Sequence, residues 1–496
     1  MGKDFIPYKR KPGRPPKNRI EHTAKKLGLP VWVVTLFIIV MIAAYTFVSY
    51  NMWLFPFTGE ELFNGIVLSG NPSSPYAPPP EDDGDGDGDG GAGMGGGPGA
   101  ISGDLSIHFL ELGNKYTGDC TFIKAGDVDI LVDAGSRVGS ISTIKTYIDT
   151  YCTDGVLEYV FVTHAHEDHY GGFATGTTTN SIFDLYECET IITFTGTNQK
   201  QPLAFNNLGV YSKFNMYNTE TTDSTGTLFG KFIRELNDEV NTTLTKGAKA
   251  GQNPKHYTAN ECYNNLNGAS RIISITSDIQ IEILKNYYDT AESPDENNYS
   301  VCFMLKHGER NFLFTGDLEK EGEEHLAEFY ELPQVELFKG GHHGSPTSSN
   351  ACLLQEIRPK TVCVCCCSGG VEYTQNPDNT FPSQQFIDRI SQYTDKVYVT
   401  TMAIVEYALD PNHGTSKDKS FYIYDAILEK YIYTDKETGT YMAEDVGYQS
   451  MNGNIRVVSN ADSVSVDCTN NNTKLKDTTW FSENRTMPSY WQTATT

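Results

Sequence analysis

One stretch limits this chain more than any other. THAHEDHYGG, residues 163–172, follows directly on the run Leu157-Glu-Tyr-Val-Phe-Val162 and crowds three histidines and two carboxylates into His164–His169. Such crowding is costly unless something binds it. His164 and His166 alternate, so an extended segment points both the same way. Asp168 and His169 then turn toward a neighbouring point. Two imidazoles beside a carboxylate–imidazole pair predict two adjacent metal sites, and scattered surface histidines do not account for the density. Gly171-Gly172 lets the chain leave tightly. Glu167 points away from its neighbours, toward solvent.

Two later segments repeat the pattern of apolar strand followed by ligand. Phe312-Leu-Phe-Thr-Gly-Asp317 ends in a carboxylate, and Glu336-Leu-Phe-Lys-Gly-Gly-His-His-Gly-Ser345 ends in His342-His343. Around them the texture is α/β. Strands are expected at 105–112, 129–133, 157–163, 190–195, 271–284, 300–307, 311–315, 335–339, 361–367 and 396–408. Helices are expected at 140–151 and 383–394. Long sheets with covering helices follow. Within a polar insertion, 214–265, Leu228, Phe229, Phe232, Ile233, Leu236, Val240 and Leu244 keep helical spacing and read as a core stripe. The run Thr361-Val-Cys-Val-Cys-Cys-Cys-Ser368 reads as a buried strand in which cysteine acts as a small hydrophobe. Residues 411–496 read as a β-rich extension, with a hairpin over 452–468 and an aromatic end that either stands exposed to the cell wall or a partner or packs against the core.

HxHxDH is the signature of the metallo-β-lactamase superfamily. The ordered set HFLELG, ILVDAG, THAHEDHYGG, NNYSVCFML, FLFTGDLEKEGE, KGGHHGSPTSS and RPKTVCVCC resembles the extracellular hydrolase domain of ComEC-type competence proteins over roughly 105–409. The resemblance implies an αββα sandwich, spanning 104–410, with a two-metal site on one edge. It implies His164, His166, Asp168, His169 and Asp317 as metal ligands, with Asp317 bridging. One of His342 and His343 would complete the second site while the other faces substrate; the reading gives His342 to the metal, and Asp168 and His343 to catalysis. Three departures stand out. Gly113-Asn-Lys-Tyr-Thr-Gly-Asp119 replaces the shorter Gly-Gln-Gly-Asp, and Phe381-Pro382 stands where a His-Pro pair is usual. No histidine lies between His169 and His256, which speaks against β-lactam hydrolysis.

The charge is strongly uneven. Residues 1–26 hold nine of the 38 Lys and Arg and two of the 63 Asp and Glu, so they carry +7 and the rest of the chain −32, for a net −25. No charge interrupts 31–55, long enough for a spanning helix. The basic excess before it predicts a cytoplasmic N-terminus, and so a single-pass cell-membrane protein with its catalytic part outside. The expected organisation is a basic head (1–28), a transmembrane anchor (29–55) and a disordered Pro/Asp/Gly-rich linker (56–103), then the hydrolase domain. The head's Gly13-Arg14-Pro15 resembles an AT-hook, but a juxtamembrane segment meeting anionic lipid explains it more simply.

The expected function is a metal-dependent phosphodiesterase or nuclease using two divalent ions. Histidine and carboxylate ligands without cysteine suit zinc or manganese. The acidic domain opposes tight DNA binding, which relies on basic contacts. A lactone, thioester or cell-wall ester hydrolase is the alternative, followed by a non-catalytic metal-binding surface protein.

Overall fold

Alternation along single strands shows how the sheets stack. On Arg310–Phe314, Phe312 and Phe314 join one hydrophobic cluster while Leu313 joins another. On Phe303–His307, Phe303 and Leu305 separate from Met304 in the same way. Neighbouring side chains on a strand point to opposite faces, so this sheet is buried on both sides. Its inner face meets a second sheet: Phe109 stacks on Phe314 at 6.4 Å between ring centres, and Phe161 on Phe303 at 4.9 Å.

The computed structural model describes residues 104–112, 118–136, 140–174, 180–222, 226–368, 380–402, 421–425, 430–434, 441–443, 451–460 and 463–492. The expected head, anchor and linker lie outside the described residues, as does much of the loop before Asp119. Among the described residues no helix is long and apolar enough to cross a membrane.

The first sheet has eight strands in the order Lys255–Thr258, Glu187–Thr193, Val156–Val162, Val128–Val132, Thr121–Ala125, Leu105–Phe109, Ile455–Ser459, Val464–Cys468. The second has seven: Ile272–Ser274, Ile279–Ile283, Phe303–His307, Arg310–Phe314, Leu337–Lys339, Val362–Ser368, Val397–Met402. Helix Ser140–Ile148 buries Ile141, Ile144 and Ile148 in the first cluster. Helices Lys320–Phe329, Ala351–Ile357 and Gln384–Ile390 bury Leu326, Leu354, Phe386 and Ile387 behind the second sheet. This is a mixed α/β sandwich.

Several local expectations change. The strand expected at 271–284 is a hairpin, Ile272–Ser274 with Ile279–Ile283 antiparallel to it, because Thr276 and Asp278 turn the chain. Of 396–408, Val397–Met402 is a strand and 403–408 lies outside the described residues. Helix Leu228–Asn241 buries Phe229, Phe232, Ile233 and Leu236, and Phe232 lies 5.3 Å from the Tyr170 ring, directly behind the histidine motif. The C-terminal hairpin extends the first sheet: Ile455–Ser459 pairs with Leu105–Phe109. The aromatic end is not exposed as a whole. Trp480, Phe481 and Trp491 are buried in the second cluster, and only Tyr490 stands out, at 68% exposure. Such an end packs because the outer face of the second sheet offers it apolar surface.

Candidate metal centre

The centre lies where strands of both sheets end. Val156–Val162 leads into His164, Arg310–Phe314 into Asp317, Leu337–Lys339 into the His342-His343 turn, and Val128–Val132 into Asp133. Consecutive residues His342 and His343 take φ of 46° and 52°. Left-handed backbone at two non-glycine residues is strained, and strain of this kind concentrates at functional sites. At Gly118 (φ +61°) an added Cβ would meet the Asp168 carbonyl at 2.1 Å. Glycine there lets Asp119 N–H donate to that carbonyl at 3.0 Å, which pins the loop against the motif.

His169 is the hub. Its Nε2 lies 3.1 Å from Asp317 Oδ2 and 3.9 Å from Asp168 Oδ1. His343 Nε2 lies 3.2 Å from the same Asp317 oxygen and 3.3 Å from Asp168 Oδ2. Two imidazole nitrogens and two carboxylates thus converge on one small volume. Behind them, His169 Nδ1 lies 2.8 Å from Asp133 Oδ2, and Asp133 also accepts from Thr163 N–H and its hydroxyl at 2.8 and 2.7 Å. His343 Nδ1 donates to the Cys365 carbonyl at 2.9 Å. Fixing the rear nitrogen leaves Nε2 as the ligand-bearing one. His164 and His166 form the adjoining pair, with His164 Nε2 3.0 Å from His166 Nδ1. The rings of His164 and His169 are 4.1 Å apart.

The electrostatics are extreme because the group is buried. Burial opposes charge on His169, but Asp317, Asp133 and Asp168 hold its pKa well above the ordinary value. Burial would raise Asp317, yet His169 and His343 pull it well below the carboxylate range. Asp168 is lowered likewise, against burial, by His169 and His343. Burial, then His169 and His166, keep His164 neutral. Asp317 Oδ1 is buried without a hydrogen bond. Asp119, His169, Asp317 and His343 each offer a ligand atom within 4.8 Å of the others. These residues fit a divalent cation.

Three participants, Asp133, Asp119 and Lys339, escaped the sequence reading as site residues. Asp119 is 1% exposed, with Oδ1 3.4 Å from His343 Nδ1 and Oδ2 in contact with the Lys339 ammonium. Because it faces the Nδ1 side of the histidines, it backs the centre. Lys339, 3% exposed, also lies 3.6 Å from Asp317 Oδ1. Burial lowers an ammonium's pKa, but Asp119 and Asp317 hold this one above its usual value. Asp133 and Asp119 each belonged to a quoted motif, and the legible signal was a carboxylate at a strand end or before a strand. Lys339 gave no signal.

The two histidines of the turn face different ways. His343, not His342, reaches the carboxylates. His342 Nδ1 instead lies 3.1 Å from Thr347 Oγ1 and 3.5 Å from Glu319, on the partly exposed side. The reason is the turn: successive left-handed residues send adjacent side chains apart. Phe381 stacks parallel to the His343 ring, 6.5 Å away and 14° off parallel, so an aromatic wall stands at this edge of the centre. Glu167 is exposed, as its position predicts.

Residues 113–179 match the family model of the Metallo-beta-lactamase superfamily. The match covers a small part of the chain, and over it the chain resembles metallo-hydrolases of the metallo-β-lactamase superfamily, ComEC-type proteins among them. ComE operon protein 3 of Bacillus subtilis is 28% identical over 141 residues, which are 28% of this chain and 17% of that protein. Recombination protein 2 of Haemophilus influenzae is 30% identical over 108 residues, 22% of this chain and 13% of that protein. The chain thus matches a small part of either relative's length. Among solved structures, the metallo-beta-lactamase fold protein YhfI from Bacillus subtilis aligns with 61% of this chain and 97% of its own, at 9% identity and a TM-score of 0.31.

Proposed function

We propose that this chain hydrolyses phosphodiesters, with nucleic acid as the substrate class, at a two-ion centre. The observation behind this reading is the convergence of His169, His343, Asp168 and Asp317 beside the His164–His166 pair. Divalent ions held there would supply Lewis acidity and a water acidic enough to act as nucleophile near neutral pH, and would offset charge on the attacking and leaving oxygens. In this reading His164 and His166 hold one ion, Asp168, His169 and His343 the other, and Asp317 lies between them. Asp133 fixes the His169 ring, and Lys339 keeps Asp119 ionised. Asp168 is the candidate proton acceptor, since it is the one carboxylate of the four that keeps partial exposure, 19%. His342, turned away from the carboxylates, is placed on the substrate side. The nucleic-acid reading draws on the resemblance to competence proteins. Against it stands a charge of −24 on residues 104–496, from 29 basic and 53 acidic side chains. That surface repels polyanions, and added divalent ions relieve the repulsion by screening.

Bis(4-nitrophenyl) phosphate with manganese or zinc is the direct test. Hydrolysis that disappears in His164→Ala supports the reading. Cleavage of lactones or thioesters, with no phosphodiester of any size accepted, replaces it by an ester or thioester hydrolase. Residues 29–55 are proposed as the anchor, with the catalytic part outside the cell. Protease added to intact cells should then cut within 56–103 and release a fragment; protection until lysis would reverse the topology.

A further inference from the structure

The two halves of the centre are built from different atoms. The half around His169 and His343 is rich in carboxylate. The other half has two imidazoles, and among the described residues no carboxylate lies within ion-pair distance of His166. What faces His166 is an amide: Asn297 Oδ1 lies 2.8 Å from His166 Nδ1, the nitrogen that is 3.0 Å from His164 Nε2. Asn297 sits in the short helical turn Glu296–Tyr299 and is 4% exposed. Its orientation is fixed. The amide nitrogen donates to Glu319 Oε1 at 3.2 Å, and since a carboxylate accepts only, the oxygen must point to His166. Asp295 Oδ1 accepts from Asn297 N–H at 3.0 Å and anchors the turn. Glu319 in turn faces His342, so the amide is braced against the histidine turn of the second sheet.

We infer that Asn297 is a protein donor of the His164–His166 half, giving that half a neutral N,N,O set of its own beside the Asp317 carboxylate it shares with the other half. This rests on the two-ion reading above. A carboxamide oxygen is uncharged and hard. It binds a divalent ion less strongly than carboxylate does, and it favours manganese over softer ions. The two halves therefore fill in sequence: the carboxylate-rich half first, the amide half later and at higher metal concentration. The weaker half is then the one that free metal ion level switches on.

The test is a calorimetric titration of manganese into the metal-stripped full chain, with bound metal counted after desalting. Two separate steps are expected. Asn297→Ala should weaken the second step by about tenfold or more and leave the first within about threefold. Asn297→Asp, which adds a charged oxygen, should tighten the second step by about tenfold, a gain that misfolding cannot mimic. Glu319→Gln frees the amide to flip and should give a smaller weakening of the same step. Equal change in both steps, or no change in either across these variants, overturns the assignment of Asn297. A single step in the unmodified chain overturns the two-ion reading itself. Failure to cleave any phosphodiester would leave the titration legible and count only against the proposed substrate.

Discussion

His164 and His169 are both fully buried, and their rings are 4.1 Å apart, yet their surroundings push them in opposite directions. His169 has Asp133 behind it and Asp317 and Asp168 before it, and these carboxylates raise its pKa well above the ordinary value so long as no cation sits among them. His164 has the neutral hydroxyls of Thr163 and Ser300 at its Nδ1 and an imidazole at its Nε2, and is held neutral. Burial alone would neutralise both, so position relative to carboxylate decides which is charged. A metal centre assembled from such unlike halves need not bind its two ions alike.

Breaking the shared point should have the largest effect. Asp317→Ala removes the carboxylate that faces both His169 and His343, and should lower diester hydrolysis about a thousandfold or more, with both metal-binding steps lost. Retention of the metal would remove Asp317 from the centre. Next, single-half variants should separate the halves. His166→Ala should abolish only the weaker manganese step, while His343→Ala should abolish the tighter one; the reverse pattern, read by the same calorimetry, would invert the comparison. Asp133→Asn tests a residue that acts only through His169. It keeps the shape but not the charge, and should cost roughly 10–100-fold in affinity at the tight half, with the weak step little changed. An equal loss at both would show that the strand end, not the His169 ring, had moved.

The smallest effect separates the centre from ordinary burial. Asp289 is as inaccessible as Asp317, at 4% and 1% exposure, but no histidine or lysine pulls it down, and burial pushes its pKa up to about 7. A carboxyl raised in this way favours folding below its unfolded pKa near 4, and that advantage is lost as pH climbs through 7. Asp289→Asn should therefore stabilise the chain at pH 8.5 by roughly 1–3 kcal/mol, and the gain should vanish near pH 4. Melting curves of the two proteins across that range decide it. A constant difference would mean that hydrogen bonding to Thr195, not charge, controls the site.

The sequence by itself determined the strand ends and the ligand types. HxHxDH after an apolar run, Thr-Gly-Asp after another and Gly-Gly-His-His after a third are local signals. Alternation and turn chemistry act over a few residues, so they can be read without the fold. For the same reason, the insertion's apolar spacing was legible as a buried helix. What only the tertiary structure decided is how distant segments meet. The chain alone does not show that Asn297 turns its oxygen to His166, that Lys339 sits between Asp119 and Asp317, or that the last hairpin joins the first strand. Nor does it show which of two adjacent histidines faces inward, because that depends on φ at His342 and His343, set by packing on both sides of the turn. Polar side chains carry no periodic signature. Their partners are fixed by which strand ends the stacked sheets bring together, and that is a property of the sandwich and not of any one segment.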